Sequence, residues 1–175
     1  MTTCSRVVAT SLVILTLATT AGAREDAAPS APPTSSGSQE VEVLAVAMDP
    51  RTQVPTIVLE GKRDKRHLTM VIGMAEATGI AVPLQGLTPP RPLTHDLFLT
   101  LFGRLNVKVT RVVITDLRDD IYYATLHLSA QGGSFTLDSR PSDAIALAVR
   151  AKVPVVVEDR VFEKAAAAGP PGQRI

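Results

Sequence analysis

The stretch "SRPSDAIALAVR" runs from Ser139 to Arg150. Two charged residues, Arg140 and Asp143, stand in front of a run of Ala, Ile, Leu and Val. Pro141 has its φ fixed near the helical value and lacks a donor that the first turn would leave unpaired anyway. Ser139 or Ser142 can cap free backbone N–H groups. Asp143 in the first turn complements the positive end of the helix, worth about 0.3–1 kcal/mol when exposed. The segment therefore reads as a helix start, and its Ala-rich faces suit close packing on a sheet. Capping does not account for Arg140, a cation where the dipole prefers an anion. That side chain is expected to pair with a carboxylate or a phosphate.

Outward from this helix, the pattern is mostly strands. "VEVLAVAM", "VPTIVLEG" and "RHLTMVIG" read as three strands, with "GKRDKRH" at 61–67 as a basic turn. "MAEATGIAVPLQG" reads as a short helix ending before Pro83. "RPLTHDLFLTLFGRLN" carries Leu97, Leu101 and Leu105 at helical spacing, and Phe98 and Phe102 widen that stripe. Three further strands follow, "TRVVITDL", "IYYATLHLSA" and "GSFTLDS", then the opening helix and a last strand, "VPVVVED". Strand, strand, strand, helix thus occurs twice. At an offset of 69, Leu44-Ala45-Val46 falls on Val113-Ile114-Thr115, and Thr56–Leu59 falls on Thr125–Leu128. A two-residue shift brings Glu76 onto Asp143. The expected fold is α+β, a mixed sheet with packed helices built from an internally duplicated unit, in which Glu76 and Asp143 occupy matching helix starts.

The chain has 175 residues, 45% of them hydrophobic, and 3% aromatic with no Trp. Its core must be aliphatic, and base stacking on an aromatic platform has little to work with. Residues 1–23 read as a secretory signal peptide: one positive charge in "MTTCSR", an apolar run, then "AGA" as the cleavage site. Cys4, the one cysteine, lies inside it, so disulfides and thiolate chemistry are excluded from the mature protein. Residues 24–40, rich in Pro, Ala, Ser and Thr, read as a flexible linker. The domain is expected at 41–168 and a flexible tail at 169–175. Of 18 Lys and Arg against 17 Asp and Glu, only Arg6 lies in the leader. The mature balance is then 17 against 17, without the basic excess usual for nucleic-acid binders. The charge is uneven, however. Lys62, Arg63, Lys65 and Arg66 crowd one loop, and Arg104, Lys108 and Arg111 form a second basic group.

Three segments, "VIGMAEA", "PRPLTHDL" and "LDSRPSDAIALAVRAKVPVVV", occur here in the order found in the bifunctional nuclease domain family, which the chain strongly resembles from about Val41 to Ala165. The resemblance implies a mixed α/β domain, often oligomeric, with DNase and RNase activity. An export signal departs from the usual pattern and implies a periplasmic or secreted protein with no membrane span after cleavage.

Two readings follow. In the first, the protein hydrolyses phosphodiester bonds of DNA and/or RNA with Mg²⁺ or Mn²⁺ and no organic cofactor. Glu76, Asp96, Asp138 and Asp143 are the candidate metal ligands, since carboxylates hold such hard cations. His95 is a candidate general base or acid, and Asp96, Asp143 and Glu76 are catalytic candidates beside it. Neighbours on a helix do not face one direction, so His95 and Asp96 need partners from elsewhere. Arg91 and Arg140, each before a proline, are candidate phosphate binders, and Lys62, Arg63, Lys65 and Arg66 would guide the strand. Thr94 is the expected cap of the helix that carries His95. His127, between two strand leucines, is expected on the solvent or edge face, and His67 extends the basic loop. In the second reading the same polar residues serve a non-enzymatic exported module, a homo-oligomer or anion binder. No HExxH motif, glycine-rich phosphate loop or Cys/His cluster appears, and no spacing supports a Ser-His-Asp triad.

Overall fold

The computed structural model describes residues 37–50 and 52–169. The expected signal peptide, most of the linker and nearly all of the tail lie outside the described residues. Strand β1 is Ser38–Met48, beginning inside the stretch expected as linker; β2 is Pro55–Gly61 and β3 is His67–Val71. Helices α1, Met74–Leu84, and α2, Thr94–Arg104, follow. Then come β4, Lys108–Arg118, β5, Ile121–Ala130, and β6, Gly133–Ser139. Helix α3, Pro141–Ala151, leads to β7, Val155–Glu158, and α4, Asp159–Ala168. The fold is α+β, as the sequence indicates. Helix α4 was not foreseen: "VPVVVED" reads as a strand to its end, yet the chain turns helical at Asp159.

The sheet has seven strands in the order β3-β2-β1-β7-β4-β5-β6. Two antiparallel meanders flank β7, which pairs antiparallel with β1 and parallel with β4. Each meander hands on to a helix. Strand order alone does not establish a duplicated unit, and the halves differ in their connections: α2 follows α1, whereas β7 follows α3. The sheet also curls. Tyr122 on β5 donates to the Thr69 carbonyl on β3 at 3.4 Å, although β2, β1, β7 and β4 lie between those strands.

Period-two alternation builds the core face. Ile57 and Leu59, Val112 and Ile114, and Ala124, Leu126 and Leu128 point inward and are buried. Ala144–Ala148 of α3 is buried at every position, so this helix is enclosed on several sides. It packs against α1 and α2 as well as against β4 and β5. Its small alanines permit that approach, and burial of Ile145 contributes about 1.5–3 kcal/mol.

Local expectations are corrected at both helix starts. The N-cap of α3 is Arg140, with no side-chain cap. Ser139 turns its hydroxyl onto the Arg140 carbonyl, and Ser142 is buried. In α2 the cap position is Leu93, and Thr94 is already the first helical residue. The capping bond comes from the other direction, with the Leu93 N–H donating to Asp96 Oδ2 at 2.8 Å. The α2 stripe does lie on a helix, most of it facing outward. Phe102 packs on the core, but Leu97, Phe98, Leu101 and Leu105 are exposed. Pro83, expected to stop α1, lies inside it.

The basic loop folds onto acids. Lys62 pairs with Glu40, Lys65 with Glu60, and Arg63 and Arg66 with Asp159 at the start of α4. Arg66 also stacks over Phe162, and buried Gln39 donates to Asp64 at 2.8 Å. Desolvation would raise the Asp64 carboxyl, but hydrogen bonds from Gln39 and Arg66 outweigh it and bring it down to about 2. This loop clamps the β2–β3 hairpin to β1 and α4.

Candidate active site

The entrances of α1, α2 and α3 converge, and each carries an acid as its third helical residue: Glu76, Asp96 and Asp143. An N-terminal acid complements the helix dipole. Here the three acids also make contacts between helices.

Arg140 joins two of them. Its Nε donates to Asp143 Oδ2 at 2.7 Å and its Nη2 donates to Glu76 Oε1 at 2.5 Å. These bonds hold the guanidinium further above its ordinary pKa. The cation that capping does not explain thus sits between two carboxylates, one on its own helix and one on α1. Its side chain is 67% exposed, against 32% for Asp143 and 13% for Glu76. The cation is therefore the outermost group, and solvent reaches it first. Glu76 reaches this position by folding back over Gly73, where a Cβ would collide with Oε2.

His95 lies behind them. It is the one buried residue of α2, and its Nε2 stands 3.5 Å from Asp143 Oδ1. That is ion-pair reach and longer than a good hydrogen bond. The partner that the sequence required from elsewhere is thus Asp143. The ring rests on Gly79 of α1, where an added Cβ would lie 2.8 Å from both Cε1 and Nδ1. Asp96 faces a different way. Its Oδ1 accepts from Arg150 Nε at 2.7 Å. Desolvation would raise this carboxyl, but Arg150 and the Leu93 N–H hold it below its ordinary value.

Sequence reading missed Arg150 and Gly79. Arg150 is the basic residue in the last turn of α3, and Gly79 lies in the interior of α1, positions that carry no chemical signal by themselves. A mid-helix glycine costs about 0.5–1 kcal/mol against alanine, and that cost was the available signal.

The other candidates lie apart. Asp138, opposite Thr125 on the exposed β6, makes no contact with the group. Arg91 is exposed in the loop before α2. Lys62, Arg63, Lys65 and Arg66 are ion-paired within the protein, as described above. His127 is partly buried opposite Arg111; desolvation first, then that cation, lower its pKa. Among the described residues no three of His, Cys, Asp and Glu stand together as a metal-ligand set. Glu76 and Asp143 do share one guanidinium, that of Arg140, and Mg²⁺ commonly takes one or two carboxylates and fills its shell with water and phosphate oxygens. The pair fits such a partial shell; the four-carboxylate set does not.

A family model for the bifunctional nuclease domain matches residues 57–169. The chain belongs to the bifunctional nuclease domain family. Uncharacterized protein Rv1829 of Mycobacterium tuberculosis is 36% identical over 126 residues, covering 72% of this chain and 75% of that protein. Bifunctional nuclease 1 of Oryza sativa subsp. indica is 29% identical over 121 residues, 59% of this chain and 37% of its own. Bifunctional nuclease 2 of Arabidopsis thaliana is 31% identical over 108 residues, 52% of this chain and 33% of its own. The match spans only about a third of the plant proteins' length. Glu76, His95, Asp96, Asp143, Arg140 and Arg150 all fall within the family match.

Proposed function

We propose that the protein hydrolyses phosphodiester bonds of DNA and/or RNA at the entrances of α1, α2 and α3. One observation carries the reading: Arg140 is an exposed fork held by two carboxylates, with a histidine behind one of them. A phosphate can take the guanidinium, which grips two oxygens at once. That exchange exposes Asp143 Oδ2 and Glu76 Oε1. Glu76 and Asp143 would hold Mg²⁺ or Mn²⁺, whose chemistry when bound would be to polarise the phosphate and acidify an attacking water. Asp143 Oδ1 accepts the water's proton, with His95 orienting it from behind. The water oxygen bonds to phosphorus, the bond to the leaving oxygen breaks, and that oxygen leaves protonated from the solvent side. Arg140 offsets the charge that builds on the phosphate.

We further propose that the protein is exported and forms a homo-oligomer. The leader-like residues 1–23 support export. Among the described residues, no helix is long and apolar enough to cross a membrane. The exposed Leu97, Phe98, Leu101 and Leu105 support the oligomer, since a contiguous exposed apolar patch marks a contact surface. One preparation tests the main reading. Protein purified from the native host should begin near Arg24 and cleave plasmid DNA or RNA. EDTA should abolish cleavage, and Mg²⁺ or Mn²⁺ should restore it. No cleavage with either metal would leave the second reading, a non-enzymatic oligomeric module. Under either reading, Leu101→Glu should convert the oligomer to monomer by sedimentation, and an oligomer that survives it would place the contact elsewhere than the α2 stripe.

A further inference from the structure

Pro83 sits in the last turn of α1 and has no N–H. The carbonyl four residues earlier, that of Gly79, therefore has no donor from the helix ladder. Arg150 fills the gap: its Nη1 donates to the Gly79 carbonyl. The same nitrogen donates to the Ala146 carbonyl of its own helix at 3.1 Å, and Nε holds Asp96 Oδ1 at 2.7 Å. One guanidinium, its side chain only 7% exposed, thus ties α1, α2 and α3 together. Its two outer grips bracket His95. Asp96 is the next residue along α2, and Gly79 is the bare backbone on which the imidazole rests.

We propose that Arg150 is a positioning residue for His95, using the carbonyl that Pro83 frees to hold the ring against Gly79 and facing Asp143. This rests on the reading of His95 as part of the active site. Arg150 touches no substrate. It fixes where α2 enters and hence where Nε2 points. Gly79 serves twice, offering Arg150 its carbonyl and the imidazole a surface with no side chain.

The test combines NMR, melting and kinetics on the full chain. In the wild type, the Gly79 Hα that a Cβ would replace should show a nuclear Overhauser contact to the His95 ring. Arg150→Lys keeps the charge but loses the planar fork, so it cannot reach both Asp96 and Gly79 in the same way. The contact should vanish. The kcat should fall on the order of a hundredfold, the usual penalty for an ångström-scale misplacement, with little change in KM. Should that variant fail to fold, Gly79→Ala gives a second test. Alanine favours a helix, so Gly79→Ala should raise Tm in a His95→Ala background. With His95 present it should lower Tm, because the ring is displaced. A retained contact with full kcat in Arg150→Lys, or the same sign of Tm shift in both backgrounds, would overturn the proposal. If His95→Ala keeps full cleavage, the catalytic reading fails, while the NMR contact and the sign of the Tm shift still judge the positioning.

Discussion

Asp143→Asn is expected to reduce metal-dependent cleavage by about 10²–10⁴-fold, the usual contribution of a positioned acid or base. The melting curve should barely move. Asparagine is polar and of similar size, so the change loses the charge–dipole interaction, roughly 0.3–1 kcal/mol. It also loses an ion pair to an Arg140 that is mostly exposed, and such pairs are worth about 0.2–1 kcal/mol. Both readings carry that same small stability cost, so activity separates them: a helix start that only caps would keep its cleavage. Chemical denaturation and single-turnover cleavage on the same preparation decide between them. Full activity in Asp143→Asn would reduce "SRPSDAIALAVR" to a helix start and move the chemistry to His95 and the remaining acids.

Much of this was legible in one dimension because it is local. Alternating residues in "IYYATLHLSA" and "VPTIVLEG" announce half-buried strands, and Pro141 before an apolar run announces a helix. The pairing of Arg140 with carboxylates was also legible, since a cation at a helix start calls for an anion. What the sequence could not show are the contacts that depend on where elements meet. The run Lys62, Arg63, Lys65, Arg66 looks like a free cationic loop. Only the register of β1 with β2 and the placement of α4 bring Glu40 and Asp159 onto it. The same holds for Gly79 and Arg150. Each is unremarkable alone, and they acquire meaning when α2 lays His95 between them. Pro83 misled for a physical reason. Proline removes one ladder bond, which usually ends a helix, but Arg150 supplies the donor that the carbonyl lost. The α2 stripe was legible as a helix, but its exposure was not. Helical spacing of Leu97, Leu101 and Leu105 identifies a helix but not what covers its apolar face.

Arg140 should give the second large effect, with two opposite signs from one substitution. In the free protein its guanidinium bonds to Glu76 and Asp143 at 2.5 and 2.7 Å and offsets one of their two charges. Arg140→Ala leaves two neighbouring carboxylates without their shared cation. Binding of Mn²⁺ in the absence of nucleic acid should therefore strengthen, as read by titration calorimetry. Binding of a short oligonucleotide should weaken, and kcat/KM should fall by about 10²-fold, the scale of losing a charge-stabilising donor at a transition state. Arg140→Lys refines the test. Lysine keeps the charge as a compact point and cannot span both carboxylates or grip two phosphate oxygens. It should therefore lie between the wild type and Arg140→Ala in Mn²⁺ affinity, but close to Arg140→Ala in kcat/KM. If Arg140→Ala weakened Mn²⁺ and oligonucleotide binding alike, Arg140 would be holding the helix entrances in shape, and the exchange of carboxylates for phosphate would be wrong. If it strengthened Mn²⁺ binding and left kcat/KM intact, the cation site would stand and phosphate would be held by another group, with exposed Arg91 the first to replace.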